Sequence, residues 1–495
     1  VSALGIDLAP ERATAVLLPG DGGPPVRREL PGEASVSDLV TGLADPATLA
    51  GIERVVVAAA LPVSDLCGYG HTNHSQAQRV GVLRIGAPAT TSVPPMTGWP
   101  AELAARVAGP VAVVRGGHRY DGMEFGPLDE PAVREFAATC RAAGVGAVAV
   151  TGTDAHINPA HEQRALSLLS ELLDVPVITS HESGGAGLLE RENTTVLNAA
   201  AAPGARRLVE EFGRSLAGAG IDADLYLMGG TGTVLPAARA ARQPLHMLDA
   251  SHGAARAGAA HLTGEADLVV VDAGAVGVRL SAQVDGLPRE SGLPLEVCGV
   301  RTSLRPIRVV DVPGAPVGRA AGSRPESARP PGARAAGVSR AGLPGARAAG
   351  VRGAGLPGVR SAGVPGAGLR DALDRVAAGL DGVPVVVVGG GAGALAVPGV
   401  EPVRPAHARF AAAFGAAGGR AAATVDRLFW FGSGSREECV ALARRIAREA
   451  AIRSGADPAR VRVGEVREAL MTYVPVRCVR LRVTATGPLL SSRGR

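Results

Sequence analysis

Short runs of β-branched and apolar residues punctuate the chain at residues 55–60, 111–114, 145–150, 175–179, 225–228, 268–272 and 383–388. Bounded by glycine and polar residues, they are too brief for independent helices and match buried strands. Between them the apolar spacing changes to that of helices. Residues 128–143 form one such stretch, with Asp129 placed to cap and Gly144 to stop it. Residues 159–173 and 208–219 read the same way, the last closed by Gly220. The alternation of short strands and helices predicts α/β layers.

Residues 314–366 break this pattern, being almost wholly Gly, Ala, Pro, Arg, Val and Ser, with Glu326 as the single acid and no aromatic residue. Such a composition cannot build a core. The segment echoes itself, since Arg334–Val338 recurs as Arg347–Val351 and Ala341–Gly345 as Ala354–Gly358. Glycine does not fall at every third residue, which excludes collagen. A disordered linker is expected. The alternative, an arginine strip touching an acidic partner or nucleic acid, would give only non-specific attraction without interleaved aromatics.

Two stretches deliver an aspartate from an apolar strand into a tight turn. Ala3-Leu4-Gly5-Ile6-Asp7-Leu8 returns as residues 13–18, and Leu268-Val269-Val270-Val271-Asp272-Ala273-Gly274 returns as Val278-Arg279-Leu280-Ser281. Such hairpins resemble those of actin-like ATPases and sugar kinases, in which the aspartate meets magnesium and glycine lets backbone amides approach phosphate. The first turn is Ala9-Pro10-Glu11-Arg12. There proline removes an amide donor and Glu11 adds negative charge, which makes a poor phosphate cradle. A third strand, residues 385–388, runs into Gly389-Gly390-Gly391-Ala392-Gly393, which could admit a flat base or its ribose. The small residues of 410–419 suit a close helix contact between lobes.

At 495 residues the chain exceeds one ordinary core, so two or more packed units are expected. It contains no lysine, so its formal charge of +5 is carried by arginine. A Walker A loop, a Schiff base and a pyridoxal enzyme are thereby excluded. No serine sits in a Gly-x-Ser-x-Gly elbow, which disfavours a serine hydrolase. The five cysteines are scattered, which argues against a disulfide framework or a zinc site and fits a reducing cytoplasm. Neither a signal peptide nor a membrane span is expected.

Asp154-Ala155-His156-Ile157-Asn158-Pro159-Ala160-His161-Glu162, Ser180-His181-Glu182 and Glu190-Arg191-Glu192-Asn193-Thr194-Thr195-Val196-Leu197-Asn198-Ala199 follow in order. Together with Met228-Gly229-Gly230-Thr231-Gly232 they resemble the hydantoinase/oxoprolinase family, over residues 1–300 and 370–420. The resemblance implies a two-lobed actin-like ATPase (ribonuclease H-like) α/β fold interrupted by the Arg/Pro/Gly-rich insertion. It divides the chain into a hydantoinase/oxoprolinase-like lobe at 1–200, a hydantoinase A-like lobe at 201–313 and 367–420, the insertion at 314–366, and a helical and strand segment at 421–495. It implies ATP-dependent opening of a cyclic amide such as a hydantoin or 5-oxoproline, with a hydantoinase B-like partner subunit and self-association into a homo-oligomer as further expectations.

In that scheme Asp7 and Asp272 hold magnesium and act catalytically, while Gly274, Gly229, Gly230, Gly389, Gly390 and Gly391 contact the nucleotide. His156 and His181 are the further catalytic candidates, because His156, His161 and His181 could converge on a cleft with Asp154, Glu162 and Glu182. The alternative for Asn158, Pro159 and Glu162 is a helix start. His71 and His74 read as a solvated loop. The family follows its first Asp with Gly-Gly-Thr and its second with Met-Gly-Gly-Thr-Ser-Thr-Asp, so this chain lacks the hydroxyls and the second acid. A family member that serves as a scaffold or ligand-binding subunit is therefore the second hypothesis, and a sugar or acetate kinase on the same superfold the third.

Overall fold

The computed structural model describes residues 2–32, 34–59, 66, 78–274, 277–313, 359–360, 368–430, 434–470 and 478–490. The expected insertion lies almost wholly outside the described residues, as do His71 and His74. Among the described residues no helix is long and apolar enough to cross a membrane. Cys140, Cys439 and Cys478 are free and buried. Cys298 is disulfide-bonded, which its spacing had not suggested, because pairing follows tertiary proximity.

Three sheets carry the α/β architecture. The largest runs from edge to edge through Arg462–Leu470, Cys478–Pro488, Arg420–Trp430, Val234–Pro236, Asp224–Met228, Arg54–Ala59, Ala3–Ala9, Arg12–Leu18 and Val26–Pro31. A second is built on Leu268–Ala273, which lies between Gly277–Val284 and Val385–Val388. One arrangement occurs in both. Ala3–Ala9 pairs antiparallel with the next strand and parallel with Arg54–Ala59. Leu268–Ala273 likewise pairs antiparallel with Gly277–Val284 and parallel with Val385–Val388.

The third sheet is parallel, in the order Ala108–Arg115, Val80–Ala87, Ala147–Gly152, Val177–Thr179. Its covering helices follow the expected logic. Glu130–Ala142 is capped by Asp129, which accepts from the Ala132 amide at 3.1 Å, and Gly144 just beyond has φ +60. Val133, Phe136, Ala137 and Cys140 make its buried stripe. Ala160–Leu172 buries Ala165, Leu168 and Leu169 beside it.

Two elements differ from expectation. Val80–Ala87 is a central strand that periodicity did not reveal, because Gly81, Arg84 and Gly86 interrupt it. The helix expected at 208–219 is the end of a much longer one, Leu188–Gly218, which runs through Pro203. Its first turns look like loop because they are polar. Those polar residues are buried and partnered, as in the Arg84–Glu192 pair, whose two bonds measure 2.6 and 2.7 Å and whose side chains are both fully buried.

Helix Ala411–Ala417 joins the first two sheets by near-contact of backbones. A Cβ at Gly415 would overlap the Ala254 carbonyl of helix Ala250–Thr263, one at Gly258 the Ala411 carbonyl, and one at Gly5 the Ala413 carbonyl. Only glycine permits that approach. We predict that Gly415→Ala lowers unfolding free energy by about 1–3 kcal/mol, the usual cost of overpacking. Gly213→Ala, on an open face of the long helix with nothing within 4 Å of the new Cβ, should raise it by about 0.5–1 kcal/mol. Urea titration of both variants checks the opposite signs.

Candidate functional site

The two Asp hairpins meet. Asp7 is buried, its Oδ1 has no hydrogen-bond partner, and Ser251 bonds the carboxyl. Burial, then the nearby Asp272 charge, push its pKa up to about 7, against the Ser251 bond and the Arg12 charge. Asp272 is engaged by His252 Nδ1 at 3.1 Å, while His252 Nε2 lies 2.9 Å from the Ser281 hydroxyl. Burial holds that imidazole neutral, so Nδ1–H donates to Asp272 and Nε2 accepts from Ser281. Arg279, in register with Asp272, is tied to Asp249 at 2.9 Å and Asp311 at 3.0 Å. Two carboxylates close enough to act on each other electrostatically, with Asp7 Oδ1 lacking a hydrogen bond, suit a hard divalent cation.

The glycine-rich loop closes on this pair. A Cβ at Gly389 would come within 2.7 Å of Asp272 Oδ1, and one at Gly390 would overlap the Arg12 guanidinium. Arg12 thus reaches from the first hairpin to the third glycine motif, with Nε buried, lacking a hydrogen bond and 4.0 Å from Glu29 Oε1. The glycine amides themselves are mostly engaged. Gly229 donates to Thr233, Gly230 to His246, Gly274 to Gly277, Gly389 to Ala408 and Gly391 to Ala273, at 2.7–3.0 Å. Gly229 and Gly230 also serve helix packing, since a Cβ at Gly253 would lie 2.6 Å from both of their carbonyls. Of the glycines expected to contact nucleotide, only Gly390 keeps its amide clear of backbone acceptors among the described residues. A phosphate placed at these turns would therefore meet fewer free amides than the glycine pattern suggests.

The histidine motifs form a separate group at the carboxyl ends of the parallel strands. Glu162, fully buried in the first turn of its helix, accepts from Gly152 N–H at 2.7 Å, Ser180 Oγ at 2.5 Å and His181 N–H at 2.9 Å, and pairs with His181 Nδ1 at 2.6 Å. Arg191 braces the same corner, donating to Ser180 Oγ at 2.9 Å and Gly152 O at 2.6 Å. A carboxylate so held fixes the imidazole with Nδ1 toward Glu162, and the His181 side chain stays partly exposed.

His156 and His161 do not join that pair. His156 Nδ1 lies 4.0 Å from Asp154 Oδ1, and neither of its buried ring nitrogens has a hydrogen bond. His161 turns toward His118 and Glu124, three residues whose ligand atoms lie within 4.8 Å of one another. The Gly117 amide, however, donates to His161 Nδ1 at 2.9 Å. That places the ring proton on Nε2, which faces Glu124 at 3.4 Å. A cation would need this nitrogen bare, so the trio is a hydrogen-bonded cluster in this arrangement. The expected convergence thus resolves into three separate pairings. Arg12, His118, Glu124, Asp249 and Arg279 were not singled out from sequence; Gly116-Gly117 before His118, at the end of a strand, was the available signal for two of them.

Residues 78–173 match the hydantoinase/oxoprolinase N-terminal region, and residues 191–316 match hydantoinase/oxoprolinase. Caprolactamase subunit alpha of Pseudomonas jessenii is 38% identical over 94 residues, which cover 19% of this chain and only 14% of that protein's length. Among solved structures, ATP-dependent caprolactamase from Pseudomonas jessenii is similar with a TM-score of 0.61 and 16% identity, covering 98% of this chain and 87% of that chain. The nucleotide-free structure of acetone carboxylase has a TM-score of 0.59 and 14% identity, covering 99% and 88%. At such identities the likeness is one of fold.

Asp7 makes a pH signature. Its carboxyl titrates near 7 when folded and near 3.8 when free, so between those values the folded chain holds a proton that the unfolded chain has released. Stability therefore falls as pH rises from about 4 to 7 and the contribution is flat on either side. We expect Asp7→Asn to remove this slope and to be more stable than wild type at pH 8, by on the order of a few kcal/mol. Thermal melts from pH 4 to 8 measure it; equal slopes for both proteins would refute the assignment.

Proposed function

We propose that this chain, which over residues 78–173 and 191–316 belongs to the hydantoinase/oxoprolinase family, is the nucleotide-binding subunit of an ATP-dependent cyclic-amide hydrolase. The observation that carries the reading is the meeting of Asp7 and Asp272 on two hairpins of identical pairing. That duplication supports a two-lobed actin-like arrangement, with the lobes at residues 1–200 and at 201–313 with 367–420, the insertion at 314–366 and the C-terminal segment at 421–495. A hydantoinase B-like partner is part of the proposal, because caprolactamase, named as having a subunit alpha, is among the relatives.

In this reading Asp7 and Asp272 would hold magnesium, and Arg12 with the Gly390 amide would face phosphate oxygens. Bound nucleotide would supply the phosphoryl group that converts an unreactive amide oxygen into a leaving group. Among the chain's own residues, Ser251 and His252 orient the two carboxylates. Arg279 fixes Asp249 at the start of helix Ala250–Thr263. His181, its tautomer set by Glu162, is the proposed base for water or a substrate proton.

The second reading, a scaffold or ligand-binding subunit, draws support from the engaged amides of Gly229, Gly230, Gly274, Gly389 and Gly391. Isothermal titration with magnesium-ATP separates the two. The enzyme reading expects saturable binding that Asp272→Ala weakens at least tenfold, and ADP release with a cyclic amide once the partner subunit is present. Glu162→Gln should then lower kcat by about two orders of magnitude while leaving nucleotide affinity unchanged. Absence of nucleotide binding by the wild type would sink the enzyme reading and favour the scaffold.

A further inference from the structure

A cavity of about 490 Å³ lies at the amino end of strand Asp224–Met228, between that strand, the end of helix Arg436–Arg453 and the chain at Leu490. Its size falls in the range of small-molecule sites, ~300–1,000 Å³. The same strand leads at its other end into Gly229 and Gly230, about 17 Å further on at the usual rise of an extended chain. Reaction sites of open α/β sheets gather at the carboxyl ends of strands. This cavity is at the opposite end, so it is a separate place in the molecule.

Its wall is apolar at Pro236, Ile452, Pro458 and Leu490 and carries two opposite charges, Asp224 and Arg453, with the phenol of Tyr226. The two charges share the cavity without pairing. Among the described residues no hydrogen bond or ion pair holds the Asp224 carboxylate, which is exposed, although its neighbour in strand register is Arg54. Arg453 has Glu449, one turn back, at 4.0 Å, and its side chain is 68% exposed. An acid and a base held apart on one wall match a ligand that carries both charges itself.

Arg54 stands beside Tyr226. Its Nε is buried without a hydrogen bond, and its other two nitrogens reach the Leu489 and Ala417 carbonyls only at 3.4 Å. Burial lowers its pKa, with Tyr226 and Glu53 opposing and Arg460 adding to the effect. The phenol thus lies next to a positive charge that is poorly shielded from it, which strengthens its hydroxyl as a donor to an anion. A Cβ at Gly455, another residue of the wall, would stand 3.2 Å from that hydroxyl. Glycine there leaves the hydroxyl within reach of a ligand.

We infer that this cavity binds an α-amino acid with an apolar side chain, its ammonium on Asp224, its carboxylate on Arg453 and the Tyr226 hydroxyl, and its side chain on the Pro236, Ile452 and Leu490 wall. The cavity alone carries this, independently of the nucleotide and cyclic-amide readings. In an α-amino acid the two charges stand together at one end, which leaves the other end for the apolar wall. A simple amine would leave Arg453 unmet, and a simple acid would set one carboxylate against another at Asp224, so the site discriminates by charge.

The test is isothermal titration of the full chain with L-leucine, with 4-methylpentanoate, which is leucine without its ammonium, and with 3-methylbutylamine, which is leucine without its carboxylate. Wild type should take up one leucine per chain and bind it at least tenfold more tightly than either analogue. Asp224→Asn should abolish the preference over 4-methylpentanoate, and Arg453→Gln the preference over 3-methylbutylamine. Both side chains are exposed, so both variants should melt with wild type. Asp272→Ala and Glu162→Gln should bind leucine as wild type does. No saturable leucine binding, equal affinity for leucine and either analogue, or preferences unchanged in the two cavity variants would overturn the inference. Loss of leucine binding in Asp272→Ala or Glu162→Gln would put the ligand elsewhere and overturn it as well.

Discussion

Everything at the paired carboxylates depends on how closely three backbones can approach. Helix Ala411–Ala417 lies against the first strand at Gly5 and against helix Ala250–Thr263 at Gly258 and Gly415, with no side chain between them. Asp7 sits two residues beyond Gly5, and the approached helix opens with Ser251 and His252, which bond the two aspartates. Widening that crossing by one methyl group would displace the segments that carry the carboxylates relative to each other.

Both aspartate hairpins could be read from sequence because each is local: an apolar run, a turn and a returning run. Their meeting could not, since it is set by a helix crossing whose members lie more than 150 residues apart, at Ala254 and Gly415. The polar motif residues were legible as a pattern but not in their role. Glu162, Arg191, Glu192 and Thr195 are all buried, and much of what looks like catalytic equipment in the sequence holds a sheet to a helix. Asn193 accepts from Trp99 Nε1 at 2.7 Å and Asn198 from the Leu245 amide at 3.0 Å. Hydrophobic periodicity is blind to such residues, which is why the long helix was read from its apolar end only and the strand bearing Arg84 escaped notice.

Glycine patterns carry a related lesson. A glycine after a strand signals either a ligand's approach or a neighbouring backbone's, and sequence does not distinguish them. Gly229 and Gly230 lie against the start of helix Ala250–Thr263, and Gly389 against Asp272. Around the carboxylates, Arg12 Nε and Asp7 Oδ1 are the polar atoms left buried without a hydrogen bond.

The Arg84–Glu192 pair has a mechanical consequence. Both charges are fully excluded from water, so parting them would expose each to an apolar interior without its counter-ion, at a cost of several kcal/mol. The parallel sheet and the first half of helix Leu188–Gly218 are therefore locked as one body. Any opening or closing of this molecule must hinge elsewhere, at the connections that enter and leave that body, which makes it the lever and not the joint.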